Sequence, residues 1–269
     1  MSDAKELLAL AAETAAAVAD FLRTGRDDMP DDVAGGDVGT KSSPTDVVTA
    51  MDTAAEAMIV ERLLGQRPDD GLLGEEGSDR TGTSGVRWIV DPLDGTVNYL
   101  YRLPCWSVSI AAEVDGEVVA GVVHDGPRDI AWTAVAGGGA YRDGRPVRAS
   151  TETDLRRALL ATGFSYVAER RALQGPVIAG LLPRVRDIRR MGSAALDLCS
   201  VAAGHVDAYC EQSLHPWDMA AGGLIAREAG CRVAGLRGEP PGFRMTVAAP
   251  PALFGALHDL LVGLRADEP

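Results

Sequence analysis

The sequence is poor in several features, and each scarcity removes a class of protein. Its 269 residues include only four cysteines, which lack the CxxC or Cys/His spacing of a zinc site. No apolar stretch reaches the roughly 20 residues that a membrane-spanning helix needs. The first eight residues carry two acids and lack the basic and apolar regions of a signal peptide. We therefore expect reduced thiols and a cytoplasmic protein with no membrane partner.

Positive charge is also scarce. The chain has 26 lysines and arginines against 39 aspartates and glutamates, which gives a net charge of −13. A nucleic-acid groove is therefore not expected, and divalent cations are the more natural ligands. The hydrophobic fraction of 46% exceeds the charged fraction of 24%, and this excludes intrinsic disorder. A chain of this length can form one large domain or two lobes that share a core.

The secondary-structure pattern changes along the chain. The first part predicts helices at 4–24, where Gly25 acts as a stop, and at about 48–64, with an acidic surface loop at 27–46 between them. The next part predicts strands at 86–90, 106–114, 117–123, 130–136 and 139–148, and Asp115-Gly116 predicts a hairpin turn between the second and third of them. After residue 150 the pattern alternates, with strands at 159–163, 185–191, 206–211 and 245–249, and helices at 169–182, 193–203, 216–230 and 251–264. We predict a layered α/β fold whose two lobes, 1–150 and 151–269, form one compact unit.

One segment joins an apolar strand to two carboxylates. Asp91 and Asp94 lie three residues apart, with Pro92 stiffening the turn between them. Gly95 permits a close backbone approach before Thr96 begins a helix. Mg²⁺ prefers oxygen ligands from one or two carboxylates, completed by waters and phosphate, so this turn is a candidate metal site. An ordinary turn with helix-capping acids explains the same pattern equally well.

Other charged residues add to this segment. Glu75 and Glu76 are adjacent between two glycines, a pattern that alone is typical of solvated surface. Asp218 falls in the first turn of a predicted helix, where an acid is stabilised by the helix dipole. Lys41 is one of only two lysines in the chain and shares the loop before the second helix with Asp46.

Five short motifs thus follow one another along the chain. They are Lys41 with Asp46-Val47-Val48-Thr49, Gly74-Glu75-Glu76-Gly77, Asp91-Pro92-Leu93-Asp94-Gly95-Thr96, Gly192-Ser193-Ala194-Ala195, and Glu211 ahead of Trp217-Asp218. Each is weak alone, but the ordered set resembles the inositol monophosphatase family, in its bacterial SuhB-like branch, over about residues 4–264. The resemblance implies an α-β-α-β-α sandwich, Mg²⁺-dependent hydrolysis of phosphomonoesters, inhibition by lithium and a homodimer.

The resemblance also implies roles for individual residues. The implied metal ligands are Glu75, Asp91, the Leu93 carbonyl, Asp94 and Asp218. The implied catalytic residues are Thr96, which Asp46 would orient to take a proton from the attacking water, and Glu76 in support. The implied substrate contacts are the amides of Gly95 and Thr96 together with Lys41, Gly192, Ser193, Ala194 and Glu211.

The substrate class follows from the sugar-facing part of this set. Glu211 and the small Ala194 favour a neutral polyol such as inositol 1-phosphate, since a bisphosphate or nucleotide needs more cations near residues 160–190. Four arginines occur there, at 184, 186, 189 and 190. Fructose 1,6-bisphosphate, histidinol phosphate and a nucleotide 3′-phosphate therefore stay as alternatives. A non-catalytic, macromolecule-binding role is a further alternative, although mutually repelling acids are costly to keep without a metal.

Overall fold

Seven α-helices and fifteen β-strands occur in residues 4–27, 38–40 and 47–268, the part of the chain that this computed structural model describes. The helices are α1 (Ala4–Asp27), α2 (Ala50–Gln66), α3 (Thr96–Leu100), α4 (Ala168–Leu181), α5 (Ala194–Ala202), α6 (Pro216–Glu228) and α7 (Pro251–Gly263). The strands are β1 (Val38–Thr40), β2 (Val47–Thr49), β3 (Gly71–Gly74), β4 (Asp79–Arg80), β5 (Val86–Asp94), β6 (Ser107–Val114), β7 (Glu117–Asp125), β8 (Ile130–Val135), β9 (Gly139–Arg142), β10 (Arg145–Pro146), β11 (Leu159–Thr162), β12 (Asp187–Arg189), β13 (Ala208–Glu211), β14 (Arg232–Ala234) and β15 (Thr246–Ala249).

These strands form two large mixed sheets and one two-stranded ribbon, β1–β2. The first large sheet has eight strands in the order β10-β9-β8-β7-β6-β5-β3-β4, and only β3 and β5 pair in parallel within it. The second has five strands in the order β12-β11-β13-β15-β14, and β11 is parallel to both of its neighbours. Both sheets mix the two pairing directions, and each needs helices to cover its faces.

Alternating side chains on the strands bury both faces of each large sheet. On β5, Trp88 and Val90 pack with α1 and α2, whereas Ile89 between them packs with α5 and α6. On β13, Tyr209 packs with α5 and α6, whereas Cys210 packs with α7 and the end of α4. The order of layers is therefore α1 with α2, the eight-stranded sheet, α5 with α6, the five-stranded sheet, and α4 with α7. This confirms the α-β-α-β-α sandwich.

The middle layer connects the two halves of the chain. Helices α5 and α6 follow residue 150 in sequence, yet their buried side chains contact both the eight-stranded and the five-stranded sheet. Among the helices that the structure describes, none combines the length and the apolar character needed to cross a bilayer.

Most predicted elements are present, and the differences have local causes. The predicted Asp-Gly hairpin is confirmed, since Asp115 and Gly116 both have positive φ, 52° and 83°, between β6 and β7. Gly25 does not end α1, which continues to Asp27. The stretch predicted to begin the second helix at 48 is instead strand β2, and the strand β1 lies within the predicted loop, of which 28–37 and 41–46 fall outside the described residues. Three short strands, β3, β4 and β14, are additional.

Candidate active site

A β-bulge near the end of β5 brings two carboxylates to the same side of the sheet. Side chains three residues apart on a regular strand point to opposite faces. Asp91 pairs with Ser109 and Asp94 pairs with Ser107, so β5 has one more residue than β6 between these pairs. Because Ser107 and Ser109 lie on one face of β6, their partners Asp91 and Asp94 share that face as well. The Leu93 amide donates to Asp91 Oδ1 at 3.0 Å and closes the turn.

Glu75 reaches the same place from the neighbouring strand. Strands β3 and β5 are parallel, and Gly74 is in register with Val90. The next residues, Glu75 and Asp91, therefore lie side by side at the carboxyl end of β3. The Glu75 amide donates to the Val90 carbonyl at 3.2 Å, which fixes this position.

Asp94 caps the helix of the middle layer. Its Oδ2 accepts from Ser193 Oγ at 2.5 Å and from the Ala195 amide at 2.9 Å, and its Oδ1 accepts from the Ala194 amide at 3.3 Å. These donors belong to the first turn of α5, where unpaired amides and the helix dipole favour an acid. Gly192, just before this turn, has φ of 92° and leaves no room for a Cβ beside the Asn98 amide.

Asp218 lies within the first turn of α6, the second helix of that layer. Pro216 begins α6, and Asp218 Oδ2 accepts from the His215 amide at 2.6 Å. The residue is thus the first-turn acid that the helical pattern predicts. It also faces the other acids closely enough that Glu75 and Asp94 both raise its pKa.

The four carboxylates perturb one another strongly. Burial raises the pKa of Asp91 well above its ordinary value, and the charges of Glu75, Asp94 and Asp218 raise it further. Burial likewise raises the pKa of Asp218 well above its usual range. The pKa of Asp94 rises to about 6, because burial outweighs the opposing hydrogen bonds from Ser193 and Ala195. A cation bound among these acids would offset their mutual repulsion.

The chemistry of this donor set fits a hard divalent cation, because all of the groups offer oxygen. In the described segments, no three histidine, cysteine, aspartate or glutamate side chains are already arranged to coordinate a metal ion. The reason is visible in the hydrogen bonds: Asp94 is turned toward the amides of α5, and Asp218 is turned toward the amide of His215. The fit therefore rests on ligand type and mutual repulsion.

Beneath this cluster, Thr96 contacts a carboxylate that the sequence analysis did not select. Thr96 Oγ1 lies 2.9 Å from Asp52 Oδ1 and 3.1 Å from the Leu93 carbonyl. Asp52 belongs to the first turn of α2 and is 1% exposed. The predicted partner of Thr96, Asp46, lies outside the described residues, as does Lys41.

A cleft of about 500 Å³ opens over these groups. The residues that line it include Glu75, Asp94, Asp218, Ser193, Ala194, Glu211 and Arg190. Glu211 accepts from the Tyr209 hydroxyl at 2.7 Å, and a Cβ on Gly163 would lie only 2.0 Å from its Oε1. Burial raises the pKa of Glu211 to about 7, although the Tyr209 hydrogen bond and the Arg190 charge lower it. Four acids therefore line the cleft: Glu75, Asp94, Asp218 and Glu211.

Comparison with known proteins identifies the family to which this chain belongs. A model of the inositol monophosphatase family matches residues 3–266. The chain belongs to the inositol monophosphatase family. It is 44% identical to the inositol-1-monophosphatase of Mycobacterium leprae, over 95% of this chain and 93% of that protein. It is also 43% identical to the Nus factor SuhB of Salmonella typhimurium, over 74% of this chain and 75% of that protein. The solved structure of Mycobacterium tuberculosis SuhB is similar with a TM-score of 0.84 and 38% identity, over 100% of both chains.

Membership of the inositol monophosphatase family makes this chain a phosphatase of a metal-dependent family. The structure brings most of the predicted site residues to one place, where Glu75, Asp94, Asp218, Gly192, Ser193, Ala194 and Glu211 line the cleft. Asp91, Leu93 and Thr96 are buried next to them. Glu76 contributes its amide, which donates to Glu56 Oε2 at 2.8 Å.

Three buried acids that interact with predicted site residues were missed by the sequence analysis. Asp52 and Glu56 lie one turn apart on α2, and Glu56 also accepts from the Ser78 amide at 2.9 Å. Asp197 on α5 is 1% exposed, and its Oδ1 has no hydrogen-bond partner in the described part of the chain. Their helical spacing could have indicated them, because it places these acids on the apolar face of an amphipathic helix. An acid is rare there unless another group pairs with it.

Proposed function

We propose that this chain hydrolyses inositol 1-phosphate in a Mg²⁺-dependent reaction, by in-line attack of water on the phosphate. The observation that carries the proposal is the convergence of Glu75, Asp91, Asp94 and Asp218 beside one cleft, whose lining also includes Glu211. The partners that the described residues give Asp91, Asp94 and Asp218 are main-chain amides, a hydroxyl and other acids. Because carboxylates repel the negatively charged phosphate, this cluster of acids needs added positive charge before a phosphate can bind.

The four acids and the Leu93 carbonyl would hold two or more Mg²⁺ ions. Bound Mg²⁺ supplies neutralisation of the acids and polarisation of both the water and the phosphate. The amides of Gly95 and Thr96 would bind phosphate oxygens, and Gly95 supports this because its φ of 97° and its close approach to two carbonyls exclude a side chain.

Thr96 and Asp52 would move the proton. The Thr96 hydroxyl has one hydrogen, and the Asp52 carboxylate is the closer and the charged acceptor, at 2.9 Å. Donation to Asp52 leaves the lone pairs of Thr96 Oγ1 free to accept a proton from the attacking water. As Thr96 Oγ1 accepts that proton, its own hydrogen would pass to Asp52, so the carboxylate is neutralised and Thr96 stays a neutral hydroxyl. Asp52 thereby takes the orienting role that the sequence analysis predicts for Asp46.

The leaving alcohol would bind between Glu211 and the backbone of Gly192, Ser193 and Ala194. Glu211 accepts from hydroxyl groups, and the small Ala194 leaves space for a ring. We further propose inhibition by lithium, a homodimer and a cytoplasmic location, as in the sequence analysis.

The proposal is tested by phosphate release from inositol 1-phosphate, fructose 1,6-bisphosphate, histidinol phosphate and a nucleotide 3′-phosphate, each with Mg²⁺, with Ca²⁺ and with chelator. We expect Mg²⁺ to support turnover of the polyol phosphate and Ca²⁺ to inhibit, because Ca²⁺ is larger and less strict in geometry. Equal activity in excess chelator would refute the metal requirement. A preference for another phosphate would keep the reaction and change the substrate.

A macromolecular binding role is the second candidate, and the name of the Salmonella typhimurium relative, a Nus factor, favours it. The retained acid cluster argues that catalysis persists beside any such role. An Asp91→Asn variant separates the two functions: loss of phosphate release with unchanged macromolecular binding would assign the two functions to different surfaces.

A further inference from the structure

Arg190 differs from the other arginine of the cleft. Two arginines line the cleft, Arg170 and Arg190. The Arg170 guanidinium lies 4.9 Å over the Phe243 ring and is engaged there. Arg190 has no hydrogen bond, ion pair or ring contact with any residue that the structure describes. A guanidinium offers five N–H donors, so Arg190 has donors available to a molecule bound in the cleft.

The backbone fixes where this guanidinium lies. Asn98 Nδ2 donates to the Met191 carbonyl at 2.8 Å and to the Cys105 carbonyl at 2.7 Å, which ties the segment after Arg190 to the start of the site. A Cβ on Gly192 would lie 2.6 Å from Arg190 Nη1. The absence of a side chain at Gly192 thus gives the guanidinium its position beside the first turn of α5.

The charges around Arg190 indicate what it can bind. It lowers the pKa of both Glu211 and Asp197, so it lies within electrostatic reach of these two acids. A second anionic group on a substrate would meet one guanidinium beside Glu211, whose pKa of about 7 leaves it about half ionised at pH 7, and the ionised form repels an anion. A neutral hydroxyl meets no such repulsion, because it can accept from Arg190 and donate to Glu211. The surroundings therefore favour an uncharged polyol over a bisphosphate.

We propose that Arg190 is a specificity-determining residue that donates hydrogen bonds to hydroxyl groups of the leaving polyol, with Glu211 as the accepting group in the same cleft. The inference rests on the proposed phosphatase function and adds a donor to the substrate contacts. Arg190 acts on the alcohol part of the substrate, so its effect depends on the hydroxyl groups and not on the phosphate.

The test compares inositol 1-phosphate with cyclohexyl phosphate, which has the same six-membered ring without hydroxyl groups. We expect Arg190→Ala to lower kcat/KM for inositol 1-phosphate by roughly 10- to 100-fold, the loss of one or two hydrogen bonds to a charged donor. The loss for cyclohexyl phosphate should be smaller by at least about tenfold. Arg190→Lys should restore part of the preference. The matched control is Arg189→Ala, since Arg189 is exposed like Arg190 but pairs with Asp187 at 2.6 Å and does not line the cleft.

Each other outcome decides against the inference. An equal loss for both substrates would place Arg190 on the phosphate or in the fold, and no loss for either would remove it from the site. A loss that is largest for fructose 1,6-bisphosphate would make it a receptor for a second anion. Thermal melts of all variants identify a folding defect. If the parent protein hydrolyses neither substrate with Mg²⁺, the proposed function itself fails, and this inference fails with it.

Discussion

Asp94 is both a helix cap and a candidate metal ligand, and replacing it separates the two roles. In Asp94→Asn the amide oxygen can take the place of Oδ2 and keep the bonds from Ser193 Oγ and the Ala195 amide. The amide nitrogen then faces the Ala194 amide, whose bond at 3.3 Å is the weakest of the three. In Asp94→Ala all three donors lose their acceptor. Both variants therefore remove the negative charge of Asp94, but only Asp94→Ala also removes all of the hydrogen bonds that cap α5.

The magnitudes favour the asparagine variant in the metal-free protein. A pKa of about 6 in the fold, against the ordinary 3.8, means that ionised Asp94 destabilises the native state by about 3 kcal/mol at pH 7. Losing the weak Ala194 bond costs about 1–2 kcal/mol. Asp94→Asn should thus gain about 1–2 kcal/mol at pH 7. The gain is largely lost near pH 4, because folded Asp94 is then protonated and the penalty falls to about 0.5 kcal/mol, although roughly half of the unfolded chains still carry the group ionised.

Urea unfolding in chelator at pH 7 and near pH 4 measures this difference. We expect Asp94→Asn to be at least as stable as the parent at pH 7, and Asp94→Ala to be less stable than Asp94→Asn at both values. Added Mg²⁺ should stabilise the parent more than either variant. If Asp94→Asn is destabilised at pH 7 as much as Asp94→Ala, the capping bonds outweigh the repulsion and Asp94 is a structural acid.

Two further predictions concern proton transfer and the polyol end of the cleft. Asp52→Asn should lower kcat by about 10²-fold or more with little change in KM, and Asp46→Asn should have a smaller effect. If steady-state kinetics give the reverse ranking, Asp46 and not Asp52 is the carboxylate that assists Thr96. Gly163→Ala should imitate Glu211→Ala, because the new Cβ would lie 2.0 Å from Glu211 Oε1. Both variants should weaken inositol 1-phosphate much more than an aryl phosphate, and equal losses for the two substrates would make Glu211 structural.

Features that depend on neighbouring residues could be predicted from the sequence, and those that depend on distant segments could not. The turn between β6 and β7 needs positive φ at two adjacent residues. An Asp-Gly pair favours this conformation, so the turn can be predicted from these two residues alone. Strand β3 was missed because its two leucines between glycines are too short a pattern, and its place is set by pairing with β5. The partner of Thr96 is 44 residues away in sequence, so only the packing of α2 selects Asp52.

The candidate ligands also show why a capping role and a metal-binding role do not compete as explanations. Asp91 closes the bulge with the Leu93 amide, Asp94 caps α5, and Asp218 caps α6. Hydrogen bonds of this charged kind contribute about 1.5–3 kcal/mol each, which offsets part of the repulsion and lets the acids stay together in the metal-free fold. A cation must draw on the same oxygens. Because α5 and α6 pack against both large sheets, metal loading should change the stability of the whole sandwich and not only of the cleft.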